Sequence, residues 1–276
     1  MRDRVLLAGV IGDPIVHSKS PALHGHWLKR YRIRGHYVPL HVTHDNLANV
    51  LKNLPKMGFS GVNVTIPHKE QALSLATNVT DRAALIGAAN TLTFTPSGLQ
   101  ADNTDGRGFI ANIRQHIPHW QPGLGPAMVL GAGGASRAIL SALIQEGVPR
   151  IILANRTRAR AEAIRDQLGA RIELLPWARI DDAVSDMQTI VNTTSLGMSG
   201  AGALQVDFSR ARPGTVVTDI VYTPVDTDFL LAARAAGCET VDGLGMLLHQ
   251  AAPGFERWFG KRPEVDQMLR DAVLKA

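Results

Sequence analysis

The sequence predicts an α/β protein built on mostly parallel sheets with helices on their faces. Three observations predict it. Apolar runs of strand length alternate with stretches of helical period, the order that parallel sheets need. A glycine-rich turn, Gly131-Ala132-Gly133-Gly134-Ala135-Ser136, stands between an apolar strand and a helix start near mid-chain. The 276 residues, 45% of them hydrophobic, are enough for a sizeable core and for two domains.

The elements follow in order. Val5 to Ile11 is an apolar run read as a buried strand. Ser20-Pro21 opens a helix to about Tyr31, with the proline in the first turn, where its missing N–H costs nothing. Tyr37 to Val42 is a second strand, and Asp45 to Met57 a helix capped by Asp45. Gly61 to Pro67 alternates with period two as a third strand, and the chain is helical from Lys69 onward. Pro118 to Pro126, carrying Pro122, Gly123 and Gly125, reads as an inter-domain connection. Ala127 to Leu130 is the apolar strand before the glycine turn. Helix Ser136 to Glu146, strand Arg150 to Ala154 and helix Arg158 to Leu168 come next, then strands Thr189 to Asn192 and Thr215 to Asp219. There is no internal repeat and no low-complexity tract.

Composition bounds the function. Charged residues make up 19% of the chain, an ordinary globular value. The net charge of +5 invites a nucleic-acid reading, but the basic residues are scattered and aromatics are only 5%. The cluster Arg156-Thr157-Arg158-Ala159-Arg160 suits a small anionic ligand equally well. The start, Met1-Arg-Asp-Arg-Val-Leu-Leu-Ala-Gly-Val-Ile, has too short an apolar run for a signal peptide and leads into Gly12-Asp13-Pro14 rather than a cleavage site. No run approaches the roughly 20 apolar residues of a membrane span. The single cysteine, Cys238, cannot form an internal disulfide, so a cytoplasmic location is expected.

The glycine turn has the chemistry of a dinucleotide fingerprint. Gly131 permits the tight turn, Gly133 lets backbone approach a pyrophosphate, and the N–H groups of the new helix face the phosphates. That makes the second domain Rossmann-type. About 20 residues further on, such domains place an acid for NAD or a base for NADP. Here Asn155-Arg156-Thr157, with Arg158 and Arg160 following, carries no carboxylate before Glu162. Guanidiniums bind phosphate in two-pronged fashion and a carboxylate would repel it, so NADP is favoured. The third glycine of the pattern is replaced by Ser136, so close helix–strand packing must tolerate a hydroxymethyl group.

Three further constellations carry polar chemistry. His17-Ser18-Lys19-Ser20-Pro21 puts two hydroxyls at a strand-to-helix turn, able either to hold a carboxylate or simply to cap a helix. Asn63 and Thr65 share one face of an apolar strand, with Lys69 just beyond; a lone lysine is most often only solvated. Asp102 and Asp105 lie in a turn-rich stretch where either could cap the helix that runs into Gly108-Phe109.

Taken with Gly87-Ala-Ala-Asn90-Thr, Asn192-Thr-Thr-Ser195, Asp219-Ile220-Val-Tyr222 and Asp242-Gly243-Leu-Gly-Met246 with Gln250, these motifs resemble the shikimate dehydrogenase family in order and spacing, from residue 9 to about 256. The resemblance implies NADPH-linked reduction of 3-dehydroshikimate to shikimate, a step toward chorismate and the aromatic amino acids. It implies that Ser18 and Ser20 hold the substrate carboxylate and that Thr65, Asn90, Tyr222 and Gln250 line the substrate site. Lys69 and Asp105 would be the catalytic pair, both touching substrate. Gly131, Ala132, Gly133, Gly134, Ala135, Asn155, Arg156, Thr157, Arg158, Arg160, Ile220, Gly243 and Met246 fall at NADP positions, and Asp81 at a further cofactor-linked one. Gly25 departs from the family pattern, in which a polar side chain commonly follows the position of His24.

The residue chemistry agrees. Hydride delivery to a ketone develops negative charge on oxygen, which a cationic donor such as Lys69 stabilises and protonates. The spacings His24/His26 and His41/His44 find no Asp, Glu or Cys cluster to complete a site, so no metal is expected.

The architecture this implies is an N-terminal α/β substrate domain with a mostly parallel sheet (residues 1–105), a Rossmann-type NADP-binding domain (106–249), and C-terminal helices (250–276) returning to the first. An interdomain cleft is expected to hold the active site. The expected partners are the small-molecule substrate and NADP, with no nucleic acid and no membrane; a homodimer is left open. Two alternatives also stay open. One is a quinate/shikimate dehydrogenase of broader substrate or NAD use, and the other a non-catalytic NADP-binding regulator.

Overall fold

The computed structural model of the protein describes residues 5–169 and 171–276. Met1 to Arg4, the start of the segment weighed as a signal peptide, lie outside the described residues. The chain divides into two compact units, one ending at Thr104 and completed by Leu248–Ala276, the other running from Asp105 to Leu247.

The first unit holds β1 (Leu6–Gly12), α1 (Ser20–Arg30), β2 (Gly35–His41), α2 (Leu47–Asn53), β3 (Phe59–Val64), α3 (Lys69–Ser74), β4 (Asn78–Val79), α4 (Asp81–Ile86), β5 (Thr91–Thr95) and β6 (Gly98–Asp102). Its six-stranded sheet has the order β2-β1-β3-β5-β6-β4. β1 runs parallel to β2 and β3, whereas β5 is antiparallel to both β3 and β6. A core of Ile11, Leu47, Leu51, Leu54, Val62 and Leu92 lies under α2.

The helix expected from Asp45 to Met57 is instead three pieces: a 3-10 turn at His44–Asn46, α2, and a second 3-10 turn at Leu54–Met57. Pro55 is the physical reason for the second break, because it has no N–H to continue the α-helical ladder. Asp45 sits inside the first turn rather than at its N-cap, which is Thr43.

The second unit holds α5 (Asp105–His116), β7 (Ala127–Leu130), α6 (Gly134–Gln145), β8 (Ile151–Ala154), α7 (Arg158–Leu168), β9 (Ile172–Leu175), α8 (Ile180–Ala183), β10 (Thr189–Asn192), β11 (Val216–Asp219), α9 (Asp228–Ala235) and β12 (Glu239–Val241). Its sheet, β12-β11-β10-β7-β8-β9, is parallel throughout. All four residues of β7, β8, β10 and β11 are buried, the continuous burial of a sheet covered on both faces. Residues 118–126, read from sequence as the inter-domain connection, lie inside this unit, because α5 precedes them and packs against α6. That packing is close: a Cβ on Gly106 would come within 2.6 Å of the Ala138 carbonyl.

The chain leaves this unit within α10 (Leu244–Phe259), and α11 (Gln267–Leu274) follows. α11 packs on α1, where Arg30 binds Asp266 at 2.6 Å and Glu264 at 2.8 Å. Among the described residues no helix is long and apolar enough to cross a membrane.

Candidate active site

Strand direction gathers the motif residues of the first unit along one edge of its sheet. β1 and β3 are parallel, so the segments after them, with Ser18 and Ser20 after β1 and Thr65 and Lys69 after β3, leave from the same edge. β5 runs the other way, so Asn90, just before it, lies at that edge as well. β6 brings the chain back there, with Thr91 opposite Asp102. Ligands of α/β proteins bind at such carboxyl edges because loops and helix N-termini converge on them.

Each side chain has a defined setting. The N-cap of α1 is Lys19, and Ser18 Oγ accepts from the Ser20 N–H at 3.3 Å. α1 thus has no side-chain cap; Ser18 lies one residue before the N-cap, and Ser20 is buried as the first helical residue. Thr65 lies just past β3, half-buried, with its N–H on the Ile11 carbonyl at 2.9 Å. Lys69 is the first residue of α3, and its carbonyl accepts from the Ala89 N–H at 2.9 Å, joining the lysine's backbone to the segment of Asn90.

Asn90 is buried and centres a polar network. Its Oδ1 accepts from the Thr104 N–H at 2.9 Å and Thr91 Oγ1 at 2.9 Å. Its Nδ2 donates to Gln250 Oε1 at 3.1 Å. Thr104 Oγ1 in turn donates to the Gln250 carbonyl at 2.8 Å, which fixes this turn of α10 on the first unit.

Asp102, expected as a possible cap, is instead the fully buried centre of an ion cluster. Arg82 and Arg257 both bind its Oδ2, and Thr80 Oγ1 and the Asn103 N–H bind its Oδ1 at 2.9 and 2.8 Å. Burial pushes this carboxyl up, but the Arg82, Arg257 and Thr80 hydrogen bonds outweigh it and hold it below the usual carboxylate range. Two residues further on, Asp105 is the buried first residue of α5. Asp81, a predicted cofactor position, is exposed at the start of α4 in the first unit; its neighbour Thr80 caps that helix.

In the second unit the cofactor motifs line the carboxyl edge of the parallel sheet, centred where strand order reverses between β7 and β10. Gly131 has φ +111°, and a Cβ there would meet Thr193 Oγ1 at 2.8 Å, so only glycine makes this turn without strain. Its N–H donates to the Ala154 carbonyl at 2.8 Å, and the Ala132 N–H to Asn155 Oδ1 at 3.2 Å. Gly133 is the N-cap of α6. A Cβ added to Gly133 or Gly134 would meet no protein atom within 4 Å, so at both positions the missing side chain leaves open space in front of the helix N-terminus. Ala135 follows in the first turn.

Ser136 resolves the departure from the third glycine. It is fully buried, and its Oγ donates to the Gly131 carbonyl at 2.7 Å, so the hydroxymethyl group ties the turn together rather than crowding it.

After β8, Asn155 Nδ2 donates to the Thr157 carbonyl at 2.7 Å, and Thr157 is the N-cap of α7. Arg156, Arg158 and Arg160 are exposed there; Arg158 pairs with Glu162 at 2.9 Å. Among the described residues no ion pair involves Arg156 or Arg160, which fits a pair of guanidiniums available to a phosphate. Glycine turn, helix N-terminus and free guanidiniums together fit the dinucleotide that the motifs call for.

Ile220 and Tyr222 follow β11, and burial pushes the Tyr222 phenol up. Asp219 ends β11 buried; burial drives its carboxyl up to about 6 against hydrogen bonds from Val221, Thr227 and Asn192. Gly243 lies so close to β11 that a Cβ would sit 2.4 Å from the Ile220 carbonyl. Met246 is buried in the core of this unit. Sequence reasoning singled out neither Asp219 nor the buried pair His24 and Tyr37 for their surroundings, since burial and partners come from residues distant in the chain.

A parallel sheet with a glycine turn and a basic strand end, joined to a second α/β unit, defines a dinucleotide-dependent oxidoreductase. Comparison with known proteins specifies it. Residues 10–92 match the family model for the shikimate dehydrogenase substrate binding domain, 125–213 that for shikimate/quinate 5-dehydrogenase, and 243–271 that for the shikimate 5'-dehydrogenase C-terminal domain. The sequence is 64% identical over 274 residues, 99% of both chains, to a shikimate dehydrogenase (NADP(+)) of Jannaschia sp. (strain CCS1). It is 62% identical to one of Paracoccus denitrificans (strain Pd 1222), covering 97% of this chain and 95% of that one. The structure is similar to shikimate 5-dehydrogenase from Thermus thermophilus in complex with NADP(H) and shikimate, with TM-score 0.87, 32% identity and 98% and 99% of the two chains covered. It is also similar to a quinate dehydrogenase from Corynebacterium glutamicum in complex with NAD, with TM-score 0.91, 30% identity and 99% of each chain covered. The chain belongs to the shikimate dehydrogenase family.

Proposed function

We propose that this chain catalyses the reversible NADPH-dependent reduction of 3-dehydroshikimate to shikimate, on the path to chorismate and the aromatic amino acids. The observation that carries the reading is its 64% identity across the whole chain to a shikimate dehydrogenase (NADP(+)), with Lys69 and Asp105 both present. When bound, the reduced dinucleotide supplies a hydride to the substrate ketone.

The residues then have distinct tasks. Ser18 and Ser20 bind the substrate carboxylate, and Thr65, Asn90, Tyr222 and Gln250 line the substrate site. Lys69 donates the proton to the carbonyl oxygen as negative charge develops there, and takes it back in shikimate oxidation. The Asp105 carboxylate orients a substrate hydroxyl. Gly131 to Ala135 accommodate the pyrophosphate at the N-terminus of α6, where backbone N–H groups and the helix dipole favour an anion. Arg156 and Arg160 bind the 2′-phosphate, with Asn155, Thr157 and Arg158 around it. Ile220, Gly243 and Met246 contact the remainder of the dinucleotide, and Asp81 contributes from the first unit. The enzyme works in the cytoplasm, with a homodimer left open.

Initial rates with shikimate, quinate and no substrate, each with NADP+ and NAD+, test the reading. Reduction of NADP+ that depends on shikimate is expected. Equal or faster rates with quinate and NAD+ would favour the broader enzyme, toward which the likeness to the Corynebacterium glutamicum protein points. No turnover with any pairing would leave the NADP-binding regulator.

A further inference from the structure

A second set of polar groups lies behind the substrate edge of the first unit, starting on the sheet's outer strand. Tyr37 on β2 reaches across β1 to β3, where its hydroxyl donates to Asn63 Oδ1 at 2.7 Å. Asn63 is buried, and its Nδ2 donates to the Asn90 carbonyl at 3.1 Å and to Thr91 Oγ1 at 3.3 Å. Thr91 Oγ1 then donates to Asn90 Oδ1 at 2.9 Å, and Asn90 Nδ2 to Gln250 Oε1 at 3.1 Å. A continuous run of hydrogen bonds therefore joins Tyr37 to two of the residues assigned to shikimate.

The run has a direction. Turning the Asn63 amide over would set its oxygen against the Asn90 carbonyl, two acceptors face to face, so that carbonyl selects the orientation and leaves Oδ1 for the Tyr37 hydroxyl to hold. With Asn63 donating to it, the Thr91 hydroxyl donates to Asn90 Oδ1 beside the Thr104 N–H, and together they keep the Asn90 NH2 group toward Gln250.

Tyr37 is itself held. The His24 ring lies flat on it, with centroids 3.8 Å apart and planes 2° from parallel. His24 is fully buried, and burial drives its imidazole down to about 3, so the ring is neutral; the Asn63 side chain opposes that shift, although neither ring nitrogen has a partner at hydrogen-bonding geometry. Burial also pushes the Tyr37 phenol well up, against a hydrogen bond with Ser20, so its O–H remains a donor.

We propose that Tyr37 is a positioning residue of the substrate site, whose hydroxyl anchors the Asn63 side chain and through it steadies Asn90 at the substrate. The inference rests on the assignment of Asn90 to shikimate binding made above. A bond that holds ground state and transition state alike raises KM when it is lost and spares kcat, the pattern expected of a positioning contact.

The test is Tyr37→Phe in the full-length protein, which keeps the ring and the His24 stack and deletes one hydroxyl. The KM for shikimate is expected to rise about 3- to 10-fold, the worth of one neutral hydrogen bond, with kcat within about twofold. The KM for NADP+ should not change. In an Asn63→Ala background, Tyr37→Phe should add almost nothing, because the path is already cut. Where Asn63→Ala fails to accumulate, Thr91→Val cuts the same path further along and serves as the background.

An unchanged KM for shikimate in Tyr37→Phe overturns the inference. So does an equal rise for shikimate and NADP+, or an undiminished effect in the cut background. If the unaltered chain shows no shikimate-dependent reduction of NADP+, the functional reading falls and this inference with it. If it does show that activity and Tyr37→Phe behaves like it, only the inference falls.

Discussion

Ser136 Oγ donates a 2.7 Å hydrogen bond to the carbonyl of Gly131, five residues back, and so closes the glycine turn on the first turn of α6. Replacing the hydroxyl by hydrogen in Ser136→Ala leaves that carbonyl without this donor. The expected cost is about 1 kcal/mol of stability, with a several-fold rise in the KM for NADP+ as the turn loosens. Gly131→Ala should be far worse, since it adds a methyl group 2.8 Å from Thr193 Oγ1 at a φ of +111°. Denaturant melts and NADP+ titrations of both variants check the order.

Arg156 and Arg160 are exposed and, among the described residues, in no ion pair, so their removal should leave stability intact. Arg156→Ala and Arg160→Ala should each raise the KM for NADP+ about 10-fold or more, the worth of a charge-assisted hydrogen bond. The KM for NAD+, which has no 2′-phosphate, should stay within about twofold. Equal losses for both dinucleotides would remove these residues from phosphate recognition.

Lys69→Ala should lower kcat by about 10² to 10⁴, the usual worth of a general acid–base group, with a modest change in the KM for shikimate. Steady-state kinetics of the purified variant decide it, and an unchanged kcat ends the role.

Asp102→Asn leaves the Arg82 and Arg257 guanidiniums without their shared carboxylate inside the first unit. Breaking a buried ion cluster from one side typically costs about 3–5 kcal/mol, and a loss of that order is expected in chemical unfolding. Because the native carboxyl is held below its ordinary value of 3.8, its stabilising effect is complete above that value and fades as the pH falls through and below it. Asp102→Asn should therefore lose most of its deficit relative to the parent in strong acid.

His24 and Asp219 give opposite pH slopes. His24 falls from 6.5 to about 3 in the fold, so between those values only the unfolded chain takes up its proton, and stability rises with pH. Asp219 rises from 3.8 to about 6, so there the native state holds the extra proton, and stability falls as pH rises. Between about pH 4 and 6 the two effects oppose each other. His24→Phe should expose the falling slope and Asp219→Asn the rising one, each approaching about 1.4 kcal/mol per pH unit at most. Parallel stability–pH curves for parent and variants would contradict both assignments.

Local chemistry made much of the second unit legible. The run Thr189 to Asn192 and the helix Arg158 to Leu168 have the same limits in sequence and structure, since apolar period and the flanking residues are local signals. The β5–β6 hairpin was not read: Thr91 to Thr95 is short and half polar, and its burial depends on β3 beside it. Pro55 could have shown where the helix after Asp45 breaks. Asp102 read as a cap because its partners, Arg82 and Arg257, stand 20 and 155 residues away.

By itself the sequence determined the α/β class, the glycine turn at Gly131, the basic residues after β8 and the polar residue types a dehydrogenase of this family needs. Those depend on side-chain chemistry and spacing within a few residues, which the chain carries wherever it goes. Only the tertiary structure decided that Ser136 closes the turn, that Asp102 neutralises two arginines and that Tyr37 reaches Asn63 from another strand. Such relationships come from strand order and burial. They exist only once distant segments pack and water is excluded between them.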